Sequence, residues 1–122
     1  MAAQTDFWGE IAPTVVRTPV AILREQAALL GTKTKNLVEA TVYTESYRGA
    51  FRHLFNLVVP GLNDYTYNLF TIEHGIGLYP VTVVGREFRF ETEQDFTEWL
   101  RGFLSSVETK RIVGNLLAQV AS

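Results

Sequence analysis

The stretch FRHLFNLVVPGLNDYTYNLFTIEH, residues 51–74, decides the fold. Its two ends are rich in aromatic and β-branched residues, and Pro60-Gly61-Leu62-Asn63-Asp64 between them is a cluster of turn formers. Two strands, 51–59 and 65–74, joined by such a turn make an antiparallel hairpin. Pairing Val59 with Thr66 sets Ile72 opposite His53 and Phe51 opposite His74, so that the two imidazoles become diagonal neighbours on one face. A slip of one residue would separate them.

Outward from the hairpin, residues 37–44 alternate, with Val38, Ala40 and Val42 on one side and Glu39, Thr41 and Tyr43 on the other, the pattern of a half-buried strand. Upstream of it, Thr18 as N-cap, Pro19 at the first helical position and the run 20–30, stopped by Gly31, predict a helix. Its inward face is Val20, Leu23, Ala27 and Leu30. Downstream, Gly75-Ile76-Gly77 reverses the chain into a strand over 78–84, with both glycines read as positive-φ turn residues. Gly85-Arg86 then leads into 87–91, where Phe88 and Phe90 flank Arg89. Pro80 lacks a backbone donor, which puts Tyr79-Pro80 at a sheet edge or at the start of its strand.

Residues 92–120 carry helical periodicity in two pieces. Thr92 caps the first, with Asp95 three places on and an apolar stripe of Phe96, Trp99, Leu100, Phe103, Leu104 and Val107. The second starts at Ser105, with Glu108 in the capping-box position and a stripe of Ile112, Val113, Leu116, Leu117 and Val120. The expected architecture is α+β, in the order α-β-β-β-β-β-α-α. A single-layer, five-stranded antiparallel meander sheet packs against the N-terminal helix and two C-terminal helices. Residues 18–122 form one α+β domain, and residues 1–17 form an N-terminal arm in which Phe7, Trp8, Ile11, Val15 and Val16 show no period. Side chains this bulky predict that the arm docks on its own domain or on a second copy. Uninterrupted alternation along 65–74 puts Tyr65, Tyr67, Leu69, Thr71 and Glu73 on one side of that strand and Thr66, Asn68, Phe70, Ile72 and His74 on the other.

Composition excludes several classes of function. A net charge of −2 over 122 residues gives no long-range attraction to nucleic acid. The absence of cysteine removes disulfides, thiolate nucleophiles and cysteine-based metal sites, and fits a reducing compartment. No run approaches ~18 apolar residues, so no membrane span is expected, and the early residues resemble neither a signal nor a transit peptide. Cytoplasmic localisation is the expectation.

No string carries specific chemistry. Two histidines lack the third ligand that a catalytic zinc needs, and hydrogen-bonded imidazoles are the expectation for His53 and His74. Glu73-His74-Gly75-Ile76-Gly77 resembles a hydrolase oxyanion loop but has no Gly-x-Ser-x-Gly partner. Arg48-Gly49-Ala50-Phe51-Arg52-His53-Leu54-Phe55 partly resembles the RNP1 strand of RNA-recognition motifs, but the order of elements is wrong for that fold. Gly31-Thr32-Lys33-Thr34-Lys35 follows a helix, whereas a phosphate loop precedes one. No catalytic residue, metal or cofactor is therefore assigned.

Three amphipathic helices, five apolar strands and an aromatic arm offer more nonpolar surface than one small sheet covers. The expected function is a non-enzymatic protein-interaction or adaptor module that forms a homodimer, with Phe7, Trp8 and Tyr65 at the interface. The alternative is a small-molecule binding domain or minor enzyme, with a pocket between sheet and helices using His74, Tyr79 and Tyr67.

Overall fold

The computed structural model describes residues 5–122, so residues 1–4 of the expected arm lie outside the described residues. A helix, α1 (Pro19–Lys33), precedes five strands, β1 (Glu39–Tyr47), β2 (Ala50–Val59), β3 (Tyr65–His74), β4 (Val81–Val83) and β5 (Arg89–Phe90). Two helices follow, α2 (Glu93–Leu104) and α3 (Val107–Val120). The strands form one antiparallel sheet in the order β1-β2-β3-β4-β5. The fold is the expected α+β meander.

The sheet is two-faced because its strands alternate. Along β2, His53, Phe55, Leu57 and Val59 are buried while the residues between them are half-buried. Phe70, Ile72, Val81, Val83 and Val38 join them, and Ile22, Leu23 and Ala27 of α1 with Phe96 and Leu100 of α2 complete the core. Phe55 and Phe70 stack at 5.1 Å, and Trp99 and Phe103 meet Phe70 edge-on. Aromatic side chains thus cement α2 to the sheet, each aromatic pair adding about 0.5–1.5 kcal/mol beyond area burial.

Arg48-Gly49 is the two-residue loop of the β1–β2 hairpin, since Tyr47 pairs with Ala50. Both loop residues have positive φ, 49° and 80°, the backbone whose twist matches the flanking strands. Between β2 and β3, a turn of 3₁₀-helix (Pro60–Leu62) is followed by Asn63 and Asp64 in the left-handed region.

Several local expectations need correction. Gly31 does not stop α1; it is buried within the helix, which runs on to Lys33 and is capped by the Thr34 N–H bonding to the Leu30 carbonyl. The inward face accordingly includes Pro19, Ile22 and Gly31, while Val20 and Leu30 are only half-buried. After β3, Leu78 and not Gly75 or Gly77 takes positive φ (74°). Helix α3 is capped by Ser106, one residue later than expected, whose Oγ accepts from the Thr109 N–H. Val107 then opens α3 and is 84% exposed, so it belongs to no buried stripe.

The largest difference lies in β3. His53 pairs with Ile72 and Phe51 with His74, as expected, but Val59 pairs with Tyr65 because the register shifts between Phe55 and Asn56. Phe55 pairs with Phe70 and Asn56 with Asn68, so Leu69 is the extra residue of a β-bulge. The bulge reverses the alternation. Tyr65 and Tyr67, partners of Val59 and Leu57, therefore share the face of Phe70, Ile72 and His74 and do not oppose it.

Candidate functional site

Helix α1 lies on one side of the sheet's covered face and α2–α3 on the other, leaving a cleft of about 680 Å³ open to solvent between them. Phe55, Leu57 and Leu69 form its floor. Ile22, Leu29 and Leu30 of α1 form one wall, and Leu100, Leu104, Val113 and Leu117 form the other. Three separate segments thus converge on one apolar trough. The bulge matters here, because an unbroken strand would turn Leu69 away from the face that carries Phe70.

The rim is charged. Arg17, Lys33, Arg101 and Lys110 line it with a single carboxylate, Glu25, which Arg17 engages at 2.6 Å. Among the described residues, Lys33, Arg101 and Lys110 form no ion pair. Lys33 and Arg101 sit in the last turns of α1 and α2, where a cation complements the helix dipole. Among the described residues, three cations without an ion-pair partner thus rim an apolar floor. Thr97 adds a polar mark, for its Oγ1 is buried in the lining and makes no hydrogen bond.

The pocket residues expected from the sequence, His74, Tyr79 and Tyr67, do not line this cleft, and among the described residues no hydrogen bond or ring pair joins them. Tyr67 is exposed beside the bulge. Tyr79 donates its hydroxyl to the Arg17 carbonyl at 3.0 Å, and burial together with the nearby Glu93 charge pushes that phenol up to about 12. It is a strut for the root of the arm.

His74 is buried and paired with His53, their rings end to end with Nε2 to Nε2 at 2.8 Å. His53 Nδ1 meets the Thr44 hydroxyl at 2.8 Å, and His74 Nδ1 meets the Gly75 carbonyl at 2.8 Å. A carbonyl can only accept, so with both rings neutral one assignment satisfies every atom. Thr44 donates to His53, His53 donates through Nε2 to His74, and His74 donates through Nδ1 to Gly75. Burial first, then the electrostatic influence of His74 and Arg24, pushes the His53 imidazole down to about 4. No group of three metal-ligating side chains occurs among the described residues.

The expected interface residues Phe7 and Trp8 are 92% and 81% exposed, and Tyr65 is 48% exposed. Residues 5–17 form neither helix nor strand, and Ile11 and Val15 are also uncovered. The arm is rooted at Arg17, whose N–H donates to Glu93 Oε1 and whose guanidinium, on the cleft rim, holds Glu25. Among the described residues, no helix is long and apolar enough to cross a membrane. No protein-family model, curated protein or solved structure matches the chain.

Proposed function

We propose that this chain is a non-enzymatic interaction module whose binding element is the cleft between α1 and α2–α3, and that it takes an apolar segment bearing carboxylates. The observation that carries the reading is the combination in one place of a floor made of Phe55, Leu57 and Leu69 with the cations Lys33, Arg101 and Lys110, which form no ion pair among the described residues. Apolar walls supply affinity by area, and the rim charges select sign and orientation. No catalytic step is assigned to it, because no nucleophile paired with a base lines the cleft.

Titration with anilinonaphthalene sulfonate, an apolar fluorophore with one negative charge, tests the reading. Saturable binding is expected, weakened about tenfold by Lys110→Glu and by Val113→Glu and unchanged by Leu54→Glu, which lies on the other sheet face. Equal fluorescence from all four proteins would contradict it.

A second reading, a small-molecule site, is favoured by the volume of about 680 Å³ with its apolar lining. A thermal-shift screen against metabolites distinguishes the two, since a cognate small molecule stabilises by mass action.

A further inference from the structure

We infer that the occupant of the cleft is the N-terminal arm, residues 5–16, of a second copy of this chain, so that two copies exchange arms; this rests on the cleft being the binding element. The arm and the cleft are each what the other lacks. Phe7, Trp8, Ile11 and Val15 are between 72% and 99% exposed, so the chain's own domain covers none of them. The cleft is the broad apolar trough to which α1 and α3 leave access, with Leu29 on its wall 47% exposed.

Charge agrees with shape. Between residues 5 and 16 the ionisable side chains are Asp6 and Glu10, both acidic, while the cleft rim presents Lys33, Arg101 and Lys110, without ion-pair partners among the described residues. Opposite signs on the segment and its receptor steer the approach and fix its direction.

Geometry supplies the reciprocity. The arm leaves the domain at Arg17, which is itself part of the cleft rim and is fixed there by Tyr79, Glu93 and Glu25. Donor segment and receptor trough are therefore neighbours on the surface of each copy. When two copies face each other about a two-fold axis, each arm enters the other's cleft, the exchange closes, and no apolar arm is left to recruit a third chain.

Sedimentation equilibrium on the full chain at micromolar concentration tests this, with fluorophore binding run in parallel. The expected mass is twice the 13.7 kDa of the chain. Phe7→Asp/Trp8→Asp, at positions exposed in one copy, is expected to give the single-chain mass and a cooperative melting transition, lowered only by the stabilisation that association supplies to the parent. It should also bind anilinonaphthalene sulfonate more tightly than the parent by about tenfold, because the cleft is released. A dimer that survives this double variant overturns the inference. So does a parent that stays at the single-chain mass, including one in which the double variant gains fluorophore binding because each arm had folded into its own cleft. Fluorophore binding that is sensitive to Lys110→Glu in those cases leaves the cleft reading standing, whereas no binding by parent or double variant overturns that reading as well.

Discussion

His53 and His74 are joined Nε2 to Nε2 at 2.8 Å within the buried face of the sheet, with their outer nitrogens held by Thr44 and Gly75. Every ring nitrogen is used with both rings neutral. A proton added at His53 Nδ1 would turn the Thr44 hydroxyl from donor to acceptor and leave a charge in a buried site, and burial is what opposes it.

Stability is therefore expected to fall on acidification. The folded chain holds His53 down at about 4, against 6.5 when exposed, so the unfolded chain takes up the proton first as pH drops. The contribution is fully present above about pH 6.5 and is lost as pH falls toward 4; at ~1.4 kcal/mol per pKa unit it amounts to about 3 kcal/mol. Urea unfolding at a series of pH values between 4 and 7 reads this slope, and a flat profile would contradict the neutral pair.

Removing one histidine is expected to cost more than removing both. His74→Ala leaves a cavity and a buried His53 donor without a partner, a loss of roughly 2–4 kcal/mol. His53→Leu/His74→Leu discards the polar pair and keeps the volume, so its cost should be smaller and its pH slope between 4 and 6.5 should vanish. Calorimetry of the three proteins decides it, and a double variant less stable than His74→Ala would refute the account.

Glycine substitutions should separate backbone conformation from packing. A Cβ at Gly49 or at Gly102 meets nothing within 4 Å, yet Gly49 has φ +80° whereas Gly102 lies inside α2. Gly49→Ala is expected to destabilise by about 1 kcal/mol and Gly102→Ala to stabilise by about 0.5–1 kcal/mol. Melting curves showing the same sign for both would remove the conformational explanation.

The two serines between α2 and α3 are expected to differ. Ser106 Oγ accepts from Thr109 N–H and donates to the Phe103 carbonyl, while Ser105 Oγ only donates back to Arg101. Ser106→Ala should cost about 1 kcal/mol and Ser105→Ala less than about 0.5 kcal/mol. Equal losses in denaturant titrations would count against Ser106 as the cap.

The hairpin 51–74, both C-terminal helices and the juxtaposition of His53 with His74 were legible in the sequence, because period and turn chemistry are local signals. The faces of β3 were not. A bulge adds one residue without changing composition, and its trace was the adjacent pair Leu69-Phe70, which breaks an otherwise alternating strand. Gly31 misled for a similar reason: helix end and helix interior differ there by what the next turn can reach, and Thr34 supplies a later cap. The cleft was legible only as an excess of apolar faces. Its floor and walls come from α1, β2, β3, α2 and α3, and no window of sequence contains them together.

The central claim, that the arm of one copy lies in the cleft of another, is tested most directly by photo-crosslinking from the arm. A photoreactive amino acid in place of Ala12 keeps Phe7, Trp8 and Ile11, and mixing it with a heavy-isotope copy labels the receiving chain by mass. The expected products join the arm of the light chain to the α1 or α3 wall of the heavy chain, around Leu29 and Val113. Crosslinks found only within the light chain, or only to Tyr43 and Leu54 on the far sheet face, would contradict the account.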